Sequence, residues 1–290
     1  MTEASLHALL GEPDELGGAG LKAAAEELDD LLAPDLLSLP LRAVLRQVGD
    51  ALDRAYPIDL RALKASVVET SDVREYVQQL ASAFGLFNLE LLVADALGFA
   101  CLPASSAPPV LVVGRALLDS DDARARDFLL LKALKIMATR GSGLLRVAPV
   151  DVWPVLAAVL SRLVPHWQPG AIDDKRFADA VARIHGALPP PADPDLSLLA
   201  QEIIGSIGSC GSQVGLGLQQ MGGRAALLAV GSPGVGLSAL GQSGGAVLPA
   251  SGPERMRWIG RHPEARDLLV FSVSEAYLQA RRRAGVGQAP

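Results

Sequence analysis

Apolar residues recur at three- and four-residue intervals over much of this chain. Leu21, Leu28, Leu31 and Leu32, then Leu41, Val44, Leu45, Val48 and Leu52, predict two helices within residues 20–55, broken between Pro34 and Pro40. Asp72 and Glu75 have the spacing of a capping box, and Val73, Val77, Leu80, Ala81 and Phe84 follow at helical period up to Gly85. From 88 to 113 the texture changes to short apolar runs, 89–93, 98–102 and 110–113, separated by glycine and the Pro108-Pro109 pair. These predict short strands of a small sheet. Ser120 or Asp121 is placed to cap the next helix, which runs through Phe128, Leu131, Leu134 and Met137 and ends before Gly141. Its middle is apolar on nearly every side, so it is predicted to be central.

Helices are also predicted over 152–163 and 173–188, with the run Pro189 to Pro191 as a linker. Residues 197–221 read as helical but glycine-rich, implying close approach to a neighbour, and the apolar character continues over 224–230. Glycine, serine and proline over 231–253 read as a loop. Pro263 suits the first turn of a last helix carrying Leu268, Leu269, Phe271, Tyr277 and Leu278, with Arg281, Arg282 and Arg283 at its C-terminal end. The pattern as a whole predicts an α+β, mainly helical fold with a small sheet beside a central helix. An N-terminal helical region, 1–66, would join a larger unit, 67–290, in one continuous core.

Composition narrows the classes. Half of the 290 residues are hydrophobic and only 4% aromatic, so the core is aliphatic. The net charge of −6 is uneven: residues 1–35 carry nine acids against Lys22, leaving 23 acids and 25 bases elsewhere. No basic footprint for nucleic acid is present, and the acidic start reads as a solvated helix face. Residues 1–20 lack the pattern of a signal peptide. The uncharged stretch 203–223 is too diluted by Gly, Ser and Gln for a membrane span. Two cysteines, Cys101 and Cys210, suit a reducing compartment, and a cytoplasmic location is expected.

Chemical motifs are incomplete. Gly241-Gln242-Ser243-Gly244-Gly245 matches G-x-S-x-G, but no helix start follows, and His262 precedes Asp267, the wrong order for an α/β-hydrolase. Cys210, between glycines, has no identifiable base to activate its thiol. The four histidines, His7, His166, His185 and His262, never fall three or four residues apart, so no two-histidine helix face exists for zinc. Gly234-Val235-Gly236 lacks the third glycine of a dinucleotide fingerprint, and no cofactor is expected.

Three stretches carry a resemblance. Residues 76–118 read YVQQLASAFGLFNLELLVADALGFACLPASSAPPVLVVGRALL; 121–139 form the predicted central helix; and 219–240 read QQMGGRAALLAVGSPGVGLSAL. In order and texture they resemble the core of the gluzincin-type zinc metallopeptidases, which carry HExxH on a central helix and a glutamate on a later one. The match departs where the chemistry should be. The HExxH positions fall on Leu131, Lys132, Ala133, Leu134 and Lys135, and the later glutamate and aspartate on Gln219 and Gly223. Lysine near a cation site adds repulsion instead of a ligand, so the resemblance implies a degenerate, metal-free pseudoenzyme. The ending 266–277, RDLLVFSVSEAY, resembles metal-less domains at the C-terminal end of some bacterial tetratricopeptide-repeat proteins.

The expected function is a non-catalytic protein-interaction or scaffold module, with a protein partner such as a helical-repeat protein and with Lys132 and Lys135 as possible contacts. These two either line the old cleft as a cationic floor or face water. The alternative is a serine or cysteine hydrolase using Ser243 or Cys210.

Overall fold

The computed structural model describes residues 26–170, 172–190 and 193–285. It is mainly helical with one small mixed sheet, an α+β fold. Helix α1 (Asp29–Leu32) is a single turn, and α2 (Leu39–Ala55) carries Pro40 in its first turn, where a missing N–H costs nothing. The part of the predicted first helix before residue 26 lies outside the described residues. Strand β1 (Ser66–Val67) was not visible as an apolar run because both its residues are exposed.

Helix α3 (Ser71–Ala83) ends at Phe84 and Gly85, the latter at φ 72°, a left-handed conformation that suits glycine. Asp72 is not its cap: the N-cap is Thr70, without a side-chain cap bond. The sheet then continues with β2 (Glu90–Ala94), β3 (Cys101–Ser106) and β4 (Pro109–Gly114), in the order β1-β2-β4-β3. β2 and β4 are parallel, and the pairs at either side are antiparallel. The apolar runs are continuous because both faces are covered. Leu91, Val93, Leu111 and Val113 point into the main core, whereas Leu92, Ala94, Val110 and Val112 meet Ile58, Leu60 and Leu63 on the other face.

After the short α4 (Arg115–Leu118) comes the central helix α5 (Ala123–Ala138), capped by Asp122, whose carboxylate accepts from the Ala125 amide at 3.0 Å. The cap is therefore one or two residues later than Ser120 or Asp121. The helix is apolar all round because α3, β3 and two later helices, α10 (Val214–Val230) and α11 (Pro233–Ser243), surround it. Phe128, Leu131 and Leu134 are buried, as their stripe predicts. Residues 197–221 are not one helix: the helical run stops at Ile207, a 3-10 turn covers 208–213 and α10 starts at Val214. The close backbone approach comes just beyond, where a Cβ on Gly222 of α10 would lie 2.8 Å from the Lys132 carbonyl oxygen of α5.

A second apolar cluster joins α2 to α7 (Val152–Leu163), α8 (Asp174–Ala187) and α9 (Pro194–Ile207), with α6 (Ser142–Leu145) packed on α2. Of the proline run, Pro189 and Pro190 follow the end of α8, and Pro191 lies outside the described residues. Among the described residues no helix is long and apolar enough to cross a membrane.

The C-terminal third differs most from expectation. Residues 231–253 are not one loop. Gly231, at φ 75°, stops α10, the Ser232 hydroxyl caps the next helix by accepting from the Val235 amide, and Pro233 opens α11. The same residue types that mark loops here mark a stop and a start. A further helix, α12 (Gly252–Arg261), follows, and the predicted last helix is two, α13 (Pro263–Ser272) and α14 (Glu275–Arg283), the latter capped by Ser274.

Candidate functional site: a cleft beside the edge strand

β3 is an edge strand, and its pairing sets which way its backbone points. Ala100 accepts from the Gly114 amide at 2.9 Å, so Ala100 faces β4, and by alternation the N–H and C=O of Cys101 face away, on the open edge. Two residues on, the edge is closed. Arg146 donates to the carbonyls of Pro103 (3.0 Å), Ala104 (2.6 Å) and Tyr56 (2.6 Å) and to the Asp53 carboxylate (2.6 Å), while Asp53 also accepts from the Ser106 amide (2.8 Å). This buried pair satisfies the outer groups of β3 and ties the strand to α2.

Between the open part of the edge and α5 lies a cavity of about 280 Å³. Leu102, Pro103, Leu129, Ala133, Ile136 and Leu145 supply an apolar lining, and Cys101, Lys132, Arg146, Gln219, Ser243 and Glu264 supply the polar groups. Lys132 is largely buried and ion-paired with Glu264, from the first turn of α13. The Ser243 hydroxyl donates back to the Leu240 carbonyl at 3.1 Å, and no histidine lines the cavity among the described residues.

The positions singled out by the resemblance divide. Lys132 and Gln219, far apart in sequence, line one cavity. Leu131 is buried in the core, and Gly223 lies in α10 against Leu268 of α13. Lys135 is buried too, at 2% exposure, and ion-paired with Asp29 of α1, which also pairs with Arg46 at 3.0 Å. These placements differ from the expectations. Neither lysine faces water, and Lys135 is inaccessible as a partner contact. Asp29, read as part of a solvated acidic face, is the buried counter-charge that admits Lys135 to the core, where an unpaired lysine is almost never found. Nor is the cleft floor cationic, because both of its cations are met by carboxylates.

The hydrolase candidates separate likewise. Ser243 ends α11 inside the cavity without a base, whereas Cys210 is exposed on a 3-10 turn over 208–213, whose Gly211 lies against the ring of Trp153. Cys101, not singled out in the sequence, lines the cavity, but burial pushes its thiol up to about 12, against the weaker opposing pull of Lys132. It is therefore a neutral thiol at physiological pH and a poor nucleophile. Iodoacetamide at neutral pH is expected to label Cys210 and leave Cys101 largely unmodified, with Cys101 gaining reactivity only as the pH is raised well into the alkaline range. Peptide mass mapping of the alkylated protein checks this; equal labelling of the two would contradict it.

Arg146 and Glu264 also escaped sequence reasoning. The only available signal was a carboxylate following Pro263 at a helix start, which reads equally as a dipole match. Among the described residues no cluster of three or more His, Cys, Asp or Glu side chains could hold a metal ion. No family model, curated protein or solved structure matches this chain.

Proposed function

We propose that this protein is a non-catalytic interaction module with a degenerate metallopeptidase-like core, and that its contact site is the cleft between β3, α5 and α10. The observation that carries the proposal is the open Cys101 edge beside a cavity whose polar groups include no nucleophile paired with a base. A strand edge with free main-chain groups and an adjoining cavity for side chains is a general way of holding an extended segment of another protein. The presence of Lys132 and Gln219 in one cavity supports the relation to the metallopeptidases, since the resemblance assigns these positions to one site. Zinc chemistry is not part of the reading, because lysine and glutamine stand where that family has carboxylates. The partner class suggested by the resemblance is a helical-repeat protein of the bacterial cytoplasm.

Ala133→Leu narrows the cavity without adding charge. Capture of a specific partner from host lysate by the parent chain, and its loss with an Ala133→Leu variant that keeps the parent's circular dichroism, is the expected result. Equal capture by both would move the contact site elsewhere. Rapid fluorophosphonate labelling of Ser243 would favour the hydrolase alternative.

A further inference from the structure

We infer that the cleft accepts an uncharged, apolar side chain from its partner and rejects an acidic one; this rests on the reading of the cleft as the contact site. The charges around the cavity are already spent. Lys132 is held by Glu264 across the α5–α13 contact, and Arg146 gives its donors to three carbonyls and Asp53. A carboxylate entering the cavity would lose its water without gaining a free cation, and would meet the Glu264 carboxylate as well. An apolar group would lose nothing comparable, and would bury surface against Leu129, Ala133, Ile136 and Leu145.

Size points the same way. The volume of about 280 Å³ falls at the lower limit of the roughly 300–1,000 Å³ of small-molecule sites. It suits about one side chain more than a cofactor. The polar groups left over, the Gln219 amide and the Cys101 main chain, match the main-chain amides flanking such a side chain.

The test uses capped pentapeptides, acetyl-Ala-Ala-Xaa-Ala-Ala-amide with Leu, Glu or Lys at the centre, titrated into the full chain while amide resonances of residues 100–102 and 129–136 are followed by NMR. The leucine peptide is expected to shift these resonances and to bind about tenfold or more tightly than the glutamate peptide. Its affinity should hold when ionic strength rises from about 0.1 M to about 1 M, where the Debye length falls from about 10 Å to about 3 Å. Ala133→Leu should weaken it; if that variant does not fold, the peptide ranking and the salt series still decide. Tighter binding of the glutamate peptide, or loss of leucine-peptide binding at high salt, overturns the inference and leaves the contact site standing. If no peptide shifts the cleft resonances, the contact-site reading itself fails, and this inference with it.

Discussion

Leu134→Ala is expected to destabilise the fold by about 2–5 kcal/mol, toward the upper end of that range. Leu134 is fully buried in α5, and that helix is enclosed by α3, α10, α11 and β3, so little can move in to fill the space left. Part of the loss is transfer of the deleted atoms to water and part is the residual cavity, and enclosure keeps the second part large. At about 2–4 °C per kcal/mol for chains of this order of size, the melting temperature should fall by roughly 10 °C. Val270→Ala, on the exposed side of α13, is the control and should stay within about 0.5 kcal/mol of the parent. Equal melting temperatures for Leu134→Ala and the parent would contradict the packing of α5.

Lys135→Met is expected to cost about 3 kcal/mol, because it strands the Asp29 carboxylate in the core. The lower end of the usual range for breaking a buried pair applies, since Arg46 remains at 3.0 Å from Asp29. Removing both charges by Lys135→Met with Asp29→Leu should restore much of the loss, as an apolar replacement of a buried pair is often neutral. Arg46 is a third exposed and can turn to water. Urea unfolding of the parent, the single and the double variants measures both steps. A single variant as stable as the parent would mean that the pair is solvated.

Much of the fold was legible because burial leaves a period. The stripe of α5, the sheet runs 89–93 and 110–113 and the helix over 152–163 are written in apolar spacing, and the structure follows them closely. The run over 98–102, by contrast, is strand only from Cys101, where β3 begins after a glycine turn at Gly98. The C-terminal third was not legible, because Gly231-Ser232-Pro233 has the composition of a loop and the geometry of a helix boundary. Short helices joined by single caps leave little periodicity to count. The cleft was half legible. Lys132 and Gln219 could be named from the resemblance, but their counter-charges could not: Glu264 and Asp29 are distant in sequence from the lysines they neutralise. That pairing decides whether the floor is cationic, and it is a property of tertiary contact alone.

The central claim, that this protein works by binding at the β3–α5 cleft, is tested most directly by amide hydrogen exchange on the chain with and without the partner it captures. Slowed exchange confined to residues 100–102 and 129–136, with the rest of the molecule unchanged, is the result the account predicts. Protection elsewhere on the surface, with the Cys101 edge exchanging as fast as in the free chain, would contradict it.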